Sequence, residues 1–398
     1  MTLLPVEDAQ AQILSGVKPL PIETVALKDA DGRVLARDVK ARRDQPPFPA
    51  SAMDGYAVRH ADLSEGLCLK VIGMAAAGHA FKHAVGPGEA VRIFTGAPVP
   101  KGADTILIQE DAEALGELVV IKEVPREGYS VRPRGLDFKS GETILKAGLK
   151  LHPRAIGLAA ALNQPTLPAR RKPRVVVFAT GDELVLPGQK PKPDQIISSN
   201  SFALAAFIRR FGGEVEDLGI IPDTLKATER AIAKARDADI LVTTGGASVG
   251  DHDHVQEALK RSGVSVGFWR IAMRPGKPLM YGTRKGQRVL GLPGNPVAAL
   301  VCARIFLKPL VDALLGLPYT DDFIAARLGA PLKENDKRQD YLRARLERAA
   351  DGTFTATAFG VQDSSMQRLL FEAECLILRP PFAAAAEEGD TVRVLPLA

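Results

Sequence analysis

Val175-Val176-Val177-Phe178-Ala179, Ile240-Leu241-Val242 and Val289-Leu290-Gly291-Leu292 are short apolar runs, and each feeds a loop that combines glycine with polar groups. The loops read Thr180-Gly181-Asp182-Glu183, Thr243-Thr244-Gly245-Gly246-Ala247-Ser248 and Pro293-Gly294-Asn295-Pro296. Helical spacing follows or alternates with the runs, which predicts a central, open, mostly parallel α/β sheet with its loops gathered along one edge. In such a sheet that edge is where a ligand binds.

Upstream, Val6 to Val17 and Leu27 to Ala36 carry helical spacing, with Pro19 and Pro21 between them. From Tyr56 to Leu136 the texture changes to short β-like runs such as Leu67 to Ile72, Glu89 to Phe94, Thr105 to Gln109 and Leu118 to Ile121. Helical spacing returns at Ala155 to Leu162, and the proline-rich, basic stretch Asn163 to Arg174 reads as a linker. The expected class is multidomain α/β plus β. Residues 1–43 and 138–169 form a helical stalk, 44–137 an inserted β domain, 170–316 the α/β domain and 317–398 a small C-terminal β domain built from runs such as Tyr341 to Leu346 and Thr391 to Leu395.

Composition narrows the function classes. The net charge is +5, from 52 Lys and Arg against 47 Asp and Glu, too small a surplus over 398 residues for a nucleic-acid stripe. No apolar run spans a bilayer and no signal-peptide order opens the chain, so a cytoplasmic protein without membrane contact is expected. Cys68, Cys302 and Cys375 are widely spaced and read as small buried apolar residues rather than as a disulfide framework or zinc site.

The loops hold the candidate chemistry. Asp182 reads as a helix cap, whereas Glu183 gains weight from the loops beside it. Ser198-Ser199-Asn200-Ser201 precedes a helix and suits either capping or an anion. Gly245, Gly246 and Ser248 offer backbone N–H groups and a hydroxyl with little to block close approach, as phosphate binding requires. Asp251 and Asp253, with Asp223 after the apolar run Leu218 to Ile221, supply carboxylates of the kind that hold Mg²⁺. His252 and His254 beside Asp253 read as a solvated turn. Arg270 and Arg274 fall on one side of an extended strand, with Lys277 next, and read as an anion clamp against the alternative of a solvated edge. Asn295 and Pro296 suit a helix start. By composition Asp54, Thr95 and Asp137 are ordinary turn residues.

Seven segments in order resemble the molybdopterin molybdenumtransferase family, the bacterial relatives of the gephyrin E domain. They are Ser51-Ala52-Met53-Asp54-Gly55-Tyr56-Ala57, Thr95-Gly96-Ala97-Pro98-Val99-Pro100, Arg134-Gly135-Leu136-Asp137, Thr180-Gly181-Asp182-Glu183-Leu184, Thr244-Gly245-Gly246-Ala247-Ser248-Val249-Gly250-Asp251, Arg274-Pro275-Gly276-Lys277-Pro278 and Leu292-Pro293-Gly294-Asn295-Pro296-Val297. The resemblance implies insertion of molybdate into adenylylated molybdopterin, with Mg²⁺-dependent cleavage of the phosphoanhydride and release of AMP. It implies a homodimer whose composite site joins subunits, with Asp54, Thr95, Asp137 and Glu183 in catalytic roles and Asp223 and Asp253 as Mg²⁺ ligands. Gly181, Asp182, Gly245, Gly246, Ser248, Arg270, Arg274, Lys277, Pro293, Gly294, Asn295 and Pro296 would bind the pterin and its phosphates, and Arg343 and Ser364 the molybdate. A related adenylyltransferase and a non-catalytic scaffold like gephyrin are the alternatives. Relatives often carry Gly where this chain has Asp363, Asn where it has Glu374, and Lys where it has Arg270 and Arg274. An added carboxylate beside an oxyanion site is expected to weaken anion binding.

Overall fold

The structure is a computed structural model that describes residues 3–245 and 254–397. Gly246, Ser248, Asp251, His252 and Asp253 therefore lie outside the described residues. The chain divides into two compact units: residues 24–31 with 37–168, and residues 1–23, 32–36 and 169–398.

In the larger unit the central sheet has the order Glu214–Ile221, Arg174–Thr180, Ile240–Thr244, Gln287–Leu292, Met280–Arg284, Ser265–Trp269. The first four strands are parallel, and the last two are antiparallel. The apolar runs are near-continuous because both faces are covered. Val175, Val177, Val242 and Leu290 face one core, with the helices Val6–Leu14, Asn200–Arg210 and Pro296–Cys302. Val176, Phe178, Leu241 and Val289 face another, with Leu225–Lys234 and His254–Arg261. Lys285 and Gly286, both at positive φ, make the two-residue turn between Met280–Arg284 and Gln287–Leu292.

The third loop runs into the helix Pro296–Cys302, a π-helical segment Ala303–Leu307 and the helix Lys308–Leu315, which Gly316 ends at φ 74°. Beyond it Gln339–Arg348, Phe354–Ala358, Ile324–Leu328, Thr391–Pro396 and Cys375–Arg379 pair in turn, and Cys375–Arg379 pairs back onto Gln339–Arg348, closing a small barrel. Met273–Arg274 joins that sheet by parallel pairing with Gln339 and Asp340. In the smaller unit a six-stranded sheet runs Thr105–Ile108, Gly55–Val58, Glu89–Ile93, Cys68–Ala75, Leu118–Ile121, Ala112–Leu115.

Several expectations change. Leu27 to Ala36 is not a helix: a 3-10 turn at Leu27–Asp29 gives way to a turn at Asp31-Gly32, with Gly32 at φ 70°. Ile22–Ala26 is a strand, as its β-branched Ile22, Thr24 and Val25 favour. Its partner is Thr166–Arg170, inside the stretch read as a linker, where Leu167 and Ala169 alternate as fully buried residues. Arg270 and Arg274 do not share a strand. Ser265–Trp269 ends just before Arg270, which lies at φ 78°, and Arg274 belongs to the strand that enters the barrel sheet. Cys68 is exposed, while Cys302 and Cys375 are buried as expected.

Asp239 anchors the start of the central sheet. Its carboxylate accepts from Arg171 Nη1 and Nη2 at 2.9 and 2.8 Å and from the Arg174 N–H at 2.7 Å. Asp239→Ala strips charge-assisted bonds from a half-buried pair and leaves a strand N–H unpaired, so it should lower unfolding free energy by about 1.5–3 kcal/mol in urea titrations.

Candidate functional site

The four parallel strands end side by side, and their C-terminal ends carry Asp223, Thr180 to Glu183, Gly245 and Pro293 to Asn295 in that sheet order. The backbone is crowded at the centre. A Cβ at Gly245 (φ +86°) would lie 2.3 Å from the Thr180 carbonyl oxygen, and one at Gly294 would lie 3.6 Å from Gly245 Cα. The three glycine loops thus converge, as their spacing suggested.

One flank is acidic. The Asp223 N–H donates to Asp182 Oδ1 at 3.2 Å, and Asp223 Oδ1 is buried with no hydrogen-bond partner among the described residues. Thr180 Oγ1 is likewise buried and unpartnered. Glu183 is exposed, and its carboxylate lies over Gly181, where a Cβ would meet its oxygens at 2.5 and 2.7 Å. An orphaned carboxylate oxygen beside a second carboxylate is the donor chemistry a hard divalent cation takes, so the described residues fit Mg²⁺. Among the described residues no cluster of three or more His, Cys, Asp or Glu forms, and Asp253 lies outside them.

The other flank holds hydroxyl, amide and guanidinium groups. Asn295 Nδ2 donates to Ser364 Oγ at 2.7 Å, so the amide read as a helix cap faces the barrel instead. The Val297 N–H donates to the Ser364 carbonyl at 3.1 Å. Arg343 is 1% exposed; its Nη1 donates to the Asp363 carbonyl at 2.6 Å and its Nε to Gln362 Oε1 at 3.2 Å. No carboxylate bonds to it among the described residues, and burial pushes its guanidinium below the usual range.

Of the three clamp cations, Arg274 is already matched. It is bonded to Asp340, donates to Asn335 at 3.3 Å and pairs with Asp336 at 3.5 Å. Burial raises the Asp340 carboxyl despite that partner, while Asp336 is held down at about 2, chiefly by hydrogen bonds from Arg338. Arg270 and Lys277 have no carboxylate partner among the described residues. Their loop is fixed by backbone bonds, Arg270 N–H to Leu279 O and Ile271 N–H to Lys277 O, both at 3.0 Å.

In the smaller unit Asp54 and Thr95 meet. Asp54 Oδ1 accepts from the Thr95 N–H and from Thr95 Oγ1, each at 2.8 Å. Those two bonds and the nearby Arg92 cation hold the Asp54 carboxyl below its ordinary range. Gly55 cannot carry a side chain, since a Cβ would lie 2.1 Å from the Leu107 carbonyl oxygen. Arg92 donates to Gly55 O at 3.0 Å and to Gln109 Oε1 at 2.9 Å, and stacks over Tyr56 and Phe94 at 5.1 and 4.9 Å. Asp137 is exposed on a separate turn, its N–H donating to Gln45 O at 2.9 Å, and it bonds to neither Asp54 nor Thr95.

Family profiles match most of the chain: the MoeA N-terminal region (domain I and II) over residues 4–163, a probable molybdopterin binding domain over 176–313, and the MoeA C-terminal region (domain IV) over 325–397. The molybdopterin molybdenumtransferase of Nostoc is 36% identical over 94% of this chain and 88% of its own length. That of Haemophilus influenzae is 34% identical over 99% and 98%. The chain belongs to the molybdopterin molybdenumtransferase family. The crystal structure of a molybdopterin biosynthesis MoeA protein from Pyrococcus horikoshii matches it over 100% of both chains with a TM-score of 0.86 at 31% identity.

Within this molybdopterin molybdenumtransferase fold, the two unusual carboxylates are turned to local tasks. Asp363 Oδ1 accepts from the Ser365 N–H at 2.8 Å and Oγ at 2.5 Å, which lowers its pKa, while its carbonyl serves Arg343. Glu374 Oε2 accepts from the Leu346 N–H at 2.8 Å. Asn200, Arg92, Asp340 and Gln362 were not singled out individually from sequence. Only Asn200 carried a signal, inside the Ser198 to Ser201 cluster. Capping does not account for that cluster, because Ser199 makes no side-chain cap bond.

Because the folded-state pKa of Asp54 is depressed, its stabilising effect is present above the ordinary carboxyl value and is lost as pH falls through the folded midpoint. Carbon-13 NMR of the Asp54 carboxyl should give a midpoint below the usual Asp value. Thr95→Val, which deletes the hydroxyl donor, should move that midpoint upward while leaving the Thr95 backbone bond in place.

Proposed function

We propose that this enzyme inserts molybdate into adenylylated molybdopterin, with Mg²⁺-dependent cleavage of the phosphoanhydride and release of AMP. The observation that supports it most is the ordering of charge along the sheet edge. Carboxylates stand at one end, bare glycine backbone in the middle, and Ser364 with the carboxylate-free Arg343 at the other. Four strands at about 4.8 Å spacing place those ends roughly 15 Å apart, a span suited to an extended phosphorylated ligand.

Each part then has a task. Gly245 and Gly294 let phosphate oxygens approach backbone N–H groups. Asp223, Asp182 and Asp253 would hold Mg²⁺, which would supply charge neutralisation for a leaving phosphate. Arg343, a buried cation without a carboxylate bonded to it, gains a partner when an oxyanion binds, and Ser364 contributes a hydroxyl. Arg270 and Lys277 are the cations left for the pterin phosphate, since Arg274 is committed to Asp340 and Asp336. Glu183, exposed beside Gly181, is placed to orient water or take a proton. Water adding to the phosphorus and AMP departing balance the hydrolysis; on the molybdenum, two Mo–S bonds form as two Mo–O bonds break, the displaced oxygens leaving as hydroxide with the two thiol protons and no change of oxidation state. The homodimer, with Asp54 and Thr95 supplied by a second copy, belongs to the same proposal.

Supplying adenylylated molybdopterin and molybdate should yield AMP and molybdenum-loaded cofactor in equal amounts, quantified by chromatography and metal analysis. Chelation should stop AMP release and added Mg²⁺ should restore it. Asp223→Asn should lower kcat by about 100-fold. Full turnover in that variant without added metal would remove Mg²⁺ from the reading.

A further inference from the structure

Asn200 opens the helix Asn200–Arg210, yet its amide is committed to the sheet edge. Nδ2 donates to Thr244 Oγ1 at 2.8 Å and to the Gly294 carbonyl at 2.7 Å. Thr244 Oγ1 passes its own proton to the Pro293 carbonyl at 3.2 Å. Among the described residues, no other side chain from outside the second and third loops bonds to both. The next residue back, Ser199, accepts from Gln367 Nε2 at 2.5 Å, which ties the same helix start to the barrel domain.

The chemistry explains the residue type. Gly245 and Gly294 approach each other as bare backbone, so neither can set their spacing with a side chain of its own. The groups that need bracing are acceptors, a carbonyl and a hydroxyl oxygen, and a carboxamide NH₂ offers two donors in one plane. A carboxylate would offer none, and a serine only one. Thr244 Oγ1 is buried in a short chain of bonds in which accepting from Asn200 strengthens its donation to Pro293.

We propose that Asn200 is a positioning residue, a cross-brace that sets the distance between the Gly245 and Gly294 loops and hence the width of the phosphate cradle. The inference rests on the phosphate reading of that cradle given above. Asn200 acts through backbone placement and performs no bond-making step.

Asn200→Ala and Asn200→Ser in the full chain test it by two measurements. In Asn200→Ala, hydrogen exchange should speed by about tenfold in peptides containing Gly245 and Gly294, with the strand interiors Val175 to Ala179 unchanged. AMP affinity by calorimetry should fall by about tenfold, while molybdate affinity stays within about twofold. Asn200→Ser, with one donor kept, should recover part of both effects. Unchanged exchange at the two loops in a folded Asn200→Ala protein overturns the brace, whatever the ligand. Exchange that rises throughout the sheet also overturns it, since the role is then general stability. If the wild type binds no AMP, the phosphate reading fails, and loop exchange alone then decides the positioning.

Discussion

Backbone crowding at Gly245 is the constraint on which the site depends. Any side chain there would strike the Thr180 carbonyl, and a Cβ added to Gly294 would come within 3.6 Å of Gly245 Cα. Parallel strands hold their C-terminal ends at a common edge, and the lack of a Cβ at Gly245 lets the second loop close against the first without wedging it open. The acidic and basic flanks are a consequence of this closeness. They belong to strands and loops on either side of the glycine pair, so the charges stand apart and do not neutralise one another.

Burial decides how those charges behave. Arg274 and Asp340 neutralise each other at the junction of the central sheet with the barrel, where Met273–Arg274 pairs with the strand carrying Asp340. Arg343, three residues beyond Asp340 on that strand, is far more enclosed than the half-exposed Arg274 but is offered only a carbonyl and an amide oxygen. Cations on two neighbouring strands thus differ in kind. One is a structural ion pair, and the other keeps charge in reserve for an anion. Asp363 and Glu374 do not cancel that reserve through a direct bond, because each carboxylate is occupied by neighbouring N–H or hydroxyl donors.

The central strands were legible because burial on both faces leaves uninterrupted apolar runs such as Val175 to Ala179, and the barrel strands because Tyr341 to Leu346 and Thr391 to Leu395 are bounded by turn residues. Thr166–Arg170 was not legible: it sits in the stretch Asn163 to Arg174, whose prolines and basic residues look like a linker, and its partner Ile22–Ala26 lies far away in sequence, so pairing overrode local preference. The same limit applied to the site. Local motifs pointed to Gly245, Asn295 and Asp54. The bond from Asn200 to Gly294 spans 94 residues and that from Arg274 to Asp340 spans 66, distances over which spacing carries no information. By composition Asp54 and Thr95 read as turns, and the family motifs rather than any spacing raised them, since their pairing spans 41 residues.

The N-terminal helix Val6–Leu14 has a bearing on how the chain is made. Val6, Ala9 and Ile13 are buried in the core that contains Leu310 and Leu314; Gln10 donates to Ile305 O at 3.0 Å, and the Leu20 N–H to Leu314 O at 2.8 Å. The partners of this helix lie about 300 residues further along the chain, whereas the smaller unit draws all its residues from 24–31 and 37–168. The helix can therefore be seated only after residues as far along as Leu314 have been made, and its apolar face stays uncovered by its native partners until then.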